Sequence, residues 1–159
     1  MARLVNLDEI EIGVLGDEQQ CVTLVELAEL DDGEPFVSIL CRGDYGDWGG
    51  FHFMELSFEV QFIVLGEVYS TQNPALTLQY LPHQIRREIL PLVARCYAAI
   101  LEKFRPGFVY RACAYPNLPD EALEKNHFLT KAIVACGYYM YREGTDEFGH
   151  EFWLCGAND

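Results

Sequence analysis

The sequence predicts an α+β fold: a mostly antiparallel sheet of about six strands with two main helices, at about residues 83–104 and 120–136. Two observations predict it. Apolar and polar residues alternate along much of residues 21–65, as in half-buried strands, whereas apolar residues recur every three or four positions over 83–104, as in an amphipathic helix. At 159 residues and without internal repeats, the chain is expected to form a single domain, residues 1–159.

The first half is expected to form strands joined by turns. Strands are predicted at residues 10–15, 21–30, 36–42 and 51–65. The second and third would form a hairpin around the Asp- and Gly-containing turn at 31–35. Residues 43–50 contain four glycines and two aspartates, a composition typical of a flexible loop. In the strand over 51–65 the even-numbered positions are nearly all apolar and should face the core, which turns Glu55 and Glu59 toward solvent.

The second half alternates helices with strands. A short strand is expected over 75–81, followed by the helix over 83–104, in which Pro91 should either introduce a kink or reset the start. A strand is predicted at 108–115. Asp120 is suited to cap the helix that ends at Gly137. Strands at 138–142 and 151–155 would then close the fold as a hairpin.

The charge of the chain is unevenly distributed. Lys and Arg number 11 and Asp and Glu 25, for a formal net charge of −14, and residues 1–66 hold 14 of the acids but two of the cations. A strongly acidic surface repels nucleic acid and anionic membranes and attracts basic proteins. We therefore expect no direct binding to nucleic acid. The alternative is that the acidity only maintains solubility.

The six cysteines indicate a compartment. No two are spaced as C-x-x-C, which argues against a zinc site, and their neighbours are apolar, as is typical of buried thiols. The first residues contain no apolar stretch of the kind found in secretory signals, and no apolar run approaches the roughly 20 residues that cross a bilayer. We expect reduced thiols, a cytoplasmic location and no membrane partner.

The order of elements over about residues 20–155 resembles the layout of GNAT-type acetyltransferases, in which strands lead into a helix, a strand, a helix and a closing hairpin. This resemblance implies a site for the pyrophosphate of coenzyme A at the start of the first helix, within residues 82–89. Arg86 and Arg87 lie there, but the glycine-rich loop that presents backbone N–H groups to phosphate is absent. The resemblance also implies a general acid near Tyr138 and Tyr139.

From the charge pattern we predict a non-enzymatic binding or inhibitor protein that captures a basic, nucleic-acid-handling protein, as immunity and anti-defence proteins do. Its carboxylates would occupy a phosphate-binding surface, and aromatic residues would anchor the interface. The expected partner-binding residues are Asp31, Asp32, Glu34, Asp44, Tyr45, Asp47, Trp48, Glu55 and Glu59. This function involves no catalytic residue, metal or cofactor.

The alternative function is a divergent GNAT-type acyl-CoA transferase or an inactive relative of it, with Arg86 and Arg87 as the cofactor-binding residues. Other chemistries find no support, because the four histidines are dispersed and neither a G-x-S-x-G segment nor a phosphate-binding P-loop is present. The aromatic residues Phe51, Phe53, Tyr138–Tyr141 and Trp153 would serve equally well as a homodimer face.

Overall fold

The computed structural model describes residues 2–159 and confirms the α+β class. The strands are β1 (Arg3–Leu4), β2 (Leu15–Gly16), β3 (Gln20–Glu29), β4 (Pro35–Trp48), β5 (Phe51–Val64), β6 (Glu67–Thr71), β7 (Phe108–Ala112), β8 (Tyr138–Thr145) and β9 (Glu151–Ala157). The helices are α1 (Pro74–Tyr80), the single turn α2 (His83–Arg86), α3 (Ile89–Phe104) and α4 (Asp120–Ala135). The described residues thus form nine strands rather than about six.

All nine strands belong to one mixed sheet. Its order is β1-β3-β4-β5-β7-β9-β8, with β2 also beside β3 and β6 also beside β5. Every described pair is antiparallel except β5 with β7, which run parallel. Strands β1, β2 and β6 are short and mainly extend the edges of longer partners. The mostly antiparallel character expected from the sequence is therefore confirmed.

The prediction of a flexible loop at residues 43–50 is wrong, because β4 continues through residue 48 and pairs with β5 up to the turn. The turn consists of Gly49 and Gly50 alone, both with positive φ (60° and 94°), which is the two-residue hairpin that glycine favours. Gly46 is a strand residue covered by a neighbour: a Cβ there would lie 2.3 Å from Cζ of Phe53. Cross-strand packing therefore explains Gly46, and the turn conformation explains Gly49 and Gly50.

The strand expected over residues 75–81 is also wrong, because α1 occupies this segment. The side chain of Asn73 accepts a hydrogen bond from the backbone N–H of Ala75 at 2.9 Å and so caps the first turn. The spacing of Leu76 and Leu78 is compatible with a helix as well as with a strand, and the cap from Asn73 favours the helix. The preceding residues, expected to be irregular, form β6 along β5.

Residues 10–14 do not form the predicted strand. Their apolar side chains pack against the core from outside the sheet. The carbonyl oxygens at the two ends of this segment accept from cations of α3 instead of from a neighbouring strand: Arg95 donates to that of Ile10 and Lys103 to that of Val14. Arg95 also donates to the carbonyl of Leu7 just before the segment. Only Leu15 of the expected segment belongs to a strand.

The helix predicted over 83–104 is divided, because α2 ends at Arg86 and α3 begins at Ile89. Pro91 lies in the first turn of α3, where a missing N–H costs little, so the expected reset of the helix start is confirmed. The second predicted helix is confirmed within one residue as α4. The strand expected over 108–115 ends early, at Ala112.

Helices α3 and α4 pack against each other and cover one face of the sheet. The core lies between them and the strands. As expected from the alternation in β5, the side chains of Met54, Leu56, Val60 and Phe62 are buried in it, whereas His52 is exposed. The other face, here called the open face, is covered by none of the described helices. Its residues include Asp44, Trp48, Glu55 and Glu59.

The six cysteines are free thiols, and four of them, Cys21, Cys41, Cys96 and Cys155, are buried. In residues 2–159 no helix combines the length and the apolar character that crossing a bilayer would require.

Candidate functional site: a groove at a gap in the sheet

The sheet opens between its two parallel strands. β5 pairs with β7 at Met54 and Glu55 and with β6 from Val60 onward. Because β4 occupies the other edge of β5, β6 and β7 must share this one. Residues 56–59 of β5 therefore have no described strand beside them on this edge. The backbone geometry creates a gap in the middle of the sheet.

Three cavities meet at this gap. Their volumes are about 390, 110 and 640 Å³, and because Phe58 and Gln72 line all three, they adjoin one another and are here together called the groove. The outer cavity, of 390 Å³, opens on the open face beside Glu59. The inner cavity, of 110 Å³, lies between β7, α3 and α4. The helix-side cavity, of 640 Å³, extends from the gap to α1, α2 and the start of α4.

The groove has the opposite charge to the rest of the chain. Its described lining contains five Lys or Arg residues and two acids: Arg42, Arg86, Arg87, Arg111, Lys125, Glu59 and Glu121. The whole chain has 11 cations and a net charge of −14, so the groove contains nearly half of the cations of an acidic protein. A positively charged groove focuses the field on an anionic ligand.

Arg86 and Arg87, the residues expected to contact a cofactor, both line the helix-side cavity together with His83. Arg86 is half-buried and its Nε donates to the carbonyl of Leu81 at 2.9 Å. Arg87 is exposed, with its Nε 3.6 Å from the carboxylate of Glu88. Each guanidinium has further N–H groups, for which no described protein acceptor is found.

Three backbone amides toward the end of α2 are not free to bind a phosphate. The N–H groups of Arg86, Arg87 and Glu88 are bonded to the carbonyls of Pro82, His83 and Ile85, respectively. These amides are consumed by the helical turn, whereas a phosphate-binding loop leaves them free. An anion in this cavity could not bind to these three amides, whereas the guanidinium groups of Arg86 and Arg87 offer donors there.

At the opposite end of the groove, Glu59 is already paired. Its carboxylate accepts from Nη2 of Arg42 at 3.4 Å and from the hydroxyl of Ser70. Both partners line the outer cavity with it. Part of the negative charge expected to face a partner is thus balanced within the fold.

The acids expected to form one partner-binding surface are divided. Asp31, Asp32 and Glu34 lie in the exposed turn between β3 and β4, where Asp32 accepts from the N–H of Glu34 at 3.0 Å. Asp44 and Asp47 lie near the far end of β4. At about 3.3 Å per strand residue, the two ends are roughly 40 Å apart. These acids form two separate groups.

Asp44 and Glu55 are brought together on the open face. They are directly opposite each other on β4 and β5, a position in which like charges repel. Partial burial and, second, the charge of Asp44 raise the pKa of Glu55, so its carboxyl holds a proton to higher pH than an ordinary glutamate does. The next strand places Tyr110 opposite Glu55.

Tyr45 and Trp48, the expected aromatic anchors, lie on opposite faces of β4. Tyr45 is hydrogen-bonded to Nδ1 of His52, which also lies 3.4 Å from the carboxylate of Asp47. Asp47 accepts from the N–H of Gly50 at 2.7 Å, so it stabilises the hairpin turn as well. Only Trp48 of this group is on the open face.

An aromatic cluster accompanies the acids on the open face. Trp48 contacts Phe53 and Tyr110 with ring centroids 4.5 and 4.9 Å apart, and Phe51 contacts Phe108 at 4.5 Å. Trp48 is 53% exposed. The strand alternation of residues 51–53 could have indicated that these rings share a face, but the contribution of β7 depends on the parallel pairing.

Arg111 is the residue of the groove that sequence reasoning missed. It is in β7, is 5% exposed and lines the inner cavity with Tyr97 and Asn126. The sequence places this arginine between a tyrosine and an alanine in a predicted strand. Arginine is rarely buried, so this position in a strand is the one sequence feature that could have pointed to Arg111.

Comparison of the chain with protein-family models, with curated proteins and with solved structures finds no match. Within residues 2–159, no three His, Cys, Asp or Glu side chains gather in a way that could hold a metal ion.

Proposed function

We propose that the groove binds an acyl-CoA or a closely similar phosphate-bearing thioester, and that the protein is a divergent GNAT-type acyl-CoA transferase or an inactive relative of it. One observation carries the proposal: the sheet separates between its parallel strands, and the gap continues into an elongated groove with a cationic end. An extended ligand with phosphates at one end and an apolar arm matches this shape and charge.

The order of elements around the gap supports the family resemblance. Antiparallel strands β3, β4 and β5 lead through helices to the parallel strand β7, and α4 then leads to the β8–β9 hairpin. Two features depart from the family. The amides near α2 are used within its turn, and Tyr138 is buried, with its hydroxyl donating to the carbonyl of Pro106 at 2.7 Å. Tyr138 is therefore a core residue rather than a proton donor in the groove.

The residues present fit the phosphate end of such a ligand through side chains. Arg86, Arg87 and Lys125 line the same 640 Å³ cavity, and arginine can bind phosphate with two N–H groups at once. On the open face, Asp44 and Glu55 would attract a cationic amine acceptor. The raised pKa of Glu55 suits a carboxylate that accepts a proton.

The test is binding of coenzyme A and acetyl-CoA, measured by calorimetry and by the melting temperature. A ligand of the native state must raise the melting temperature. The double variant R86A/R87A should bind at least about tenfold more weakly, because hydrogen bonds to charged groups contribute about 1.5–3 kcal/mol each.

The matched control is K131A/R142A, which also removes two positive charges but at exposed positions outside the groove lining. It should bind as the unmodified chain does. If millimolar coenzyme A leaves the melting temperature unchanged, or if both double variants weaken binding equally, the acyl-CoA proposal is wrong.

A second function is favoured by a different observation, the combination of Asp44, Glu55 and Trp48 on the open face. Acids around a partly exposed aromatic cluster suit a basic protein partner, with the rings as anchors. This is the binding or inhibitor function predicted from the charge pattern, now restricted to the open face because the turn acids are remote.

A further inference from the structure

Arg111 is a buried cation without a described anionic partner. Its Nη1 donates to the carbonyl of Asn126 and to Oγ1 of Thr130, both at 3.3 Å, and its Nη2 donates to Oδ1 of Asn126 at 2.6 Å. Its guanidinium lies 5.4 Å from the ring centroid of Trp153. In residues 2–159 no carboxylate is within ion-pair distance of it. The acceptors of these hydrogen bonds are neutral oxygens, so they do not balance the positive charge.

The other titratable neighbours do not supply a negative charge. Burial raises the pKa of Tyr97, and it raises those of Cys113 and Cys155, with the charge of Arg111 acting in the opposite direction in each case. All three are therefore neutral near pH 7. Arginine remains protonated in proteins, and an uncompensated buried charge is costly. A bound anion beside Arg111 would offset this cost.

The inner cavity offers room for an anion beside this charge. Arg111 and Asn126 line its 110 Å³, and Lys125 adds a second cation at its exposed side. The space admits a group of several heavy atoms, because roughly 10–15 Å³ of such a cavity is enough to hold one water molecule. Gln72 and Leu90 line both this cavity and the helix-side cavity, so a ligand in the groove can extend one end into it.

We propose that the inner cavity binds a single oxyanion group, a carboxylate or a phosphate, at the end of a ligand in the groove, with Arg111 as the residue that neutralises it. Asn126 is a positioning residue: its Nδ2 donates to the carbonyl of Ala122 at 2.9 Å while its Oδ1 holds Arg111. This goes beyond the proposed function, because it holds whether or not the ligand contains coenzyme A.

The test is the melting temperature in increasing sodium malonate and sodium phosphate, each compared with sodium chloride at equal ionic strength. The unmodified chain should show a saturable rise with at least one oxyanion beyond the chloride effect. A response to malonate alone identifies a carboxylate, and a response to phosphate alone identifies a phosphate. In Arg111→Met the apparent affinity should fall about tenfold or more, since a charge-assisted contact is lost.

Arg142→Met is the matched control, because it makes the same substitution at an exposed position in β8, and it should respond as the unmodified chain does. Arg111→Met itself should melt at the same or a higher temperature without anions, since replacing an unpaired buried charge by an apolar side chain removes its desolvation cost. A large drop in melting temperature, together with an undiminished anion response, would assign Arg111 a purely structural role and overturn the proposal.

If Arg111→Met does not fold, two other measurements still test whether an oxyanion binds in the inner cavity. The first is the anion response of Lys125→Met, a substitution at an exposed position of α4. The second is the shift of the Arg111 Nε–H resonance in the native chain during a malonate or phosphate titration. Unchanged affinity and an unmoved resonance would overturn the proposal. A chain that ignores coenzyme A but binds malonate through Arg111 supports this inference and refutes the acyl-CoA function.

Discussion

At the scale of single residues, the cross-strand pair of Gly46 and Phe53 shows how packing determines the structural role of a residue. Gly46 looks like part of a flexible loop in the sequence, yet the ring of Phe53 covers it. Phe53 is 7% exposed and is held between Trp48 and Tyr110. The glycine therefore makes room for the aromatic cluster on the open face.

Gly46→Ala is expected to lower the free energy of unfolding by about 1–3 kcal/mol, because the added methyl group would overlap a ring that cannot move without displacing its neighbours. Urea unfolding measures the change. Gly107→Ala is the control, since no heavy atom lies within 4 Å of a Cβ at that position, and its stability should be unchanged or slightly higher. If Gly46→Ala is as stable as Gly107→Ala, the ring of Phe53 can move aside at little cost, and the proposed role of Gly46 is wrong.

At the scale of elements, α1 illustrates a local signal that outweighs a pattern. Its residues alternate as a strand would, but the cap from Asn73 and the helical start at residue 74 select a helix. The consequence reaches the groove, because Ala75, Thr77 and Leu78 of α1 line the helix-side cavity. An extended segment at this place would leave that wall differently shaped.

Asn73→Ala should destabilise α1 by about 0.5–2 kcal/mol, because one backbone N–H of the first turn loses its acceptor. Amide hydrogen exchange over residues 75–81 measures this directly, with faster exchange expected there and unchanged exchange in α3. Asn73→Ser, which keeps an acceptor oxygen, should exchange at close to the unmodified rate. Equal protection in the alanine and serine variants would show that packing, rather than the cap, maintains α1.

At the scale of the whole molecule, charge is sorted by the fold. The acids predicted to bind a partner are divided between the β3–β4 turn and the open face, except Asp47, which lies on the other side of β4, whereas cations distant in sequence meet in the groove. Electrostatic attraction of a partner depends mainly on the charges near the contact and weakens with salt. The two acidic groups can therefore be distinguished by experiment.

If the open face captures a basic protein, the triple variant D44N/E55Q/E59Q should slow association and flatten its salt dependence. The measurement is the association rate with a basic protein captured from a cell lysate at low salt and released at high salt. The variant D31N/D32N/E34Q removes the same charge from the β3–β4 turn, which along β4 lies roughly 33 Å from Asp44 and roughly 20 Å from the residue opposite Glu59, and it should have a smaller effect. Equal effects of the two variants would contradict an interface on the open face.

Local patterns in the sequence predict several features correctly. Alternation and helical periodicity depend on neighbouring residues, so they correctly predict the α+β class, the buried side of β5, the helix α4 and the new helix start near Pro91. The overall charge likewise follows from composition alone. The same local reasoning fails at residues 43–48 and 75–81, where a cross-strand ring and a side-chain cap, respectively, outweigh composition and alternation.

The groove depends on contacts between residues far apart in the chain. β5 and β7 are joined at two positions separated by more than 50 residues of sequence, and their divergence beyond that point opens the gap. Beside this gap lie the helix-side cavity, lined by Arg86, and the inner cavity, lined by Arg111, and Lys125 lines both. No local pattern encodes this meeting, because it results from the parallel register of two strands and the packing of two helices against them.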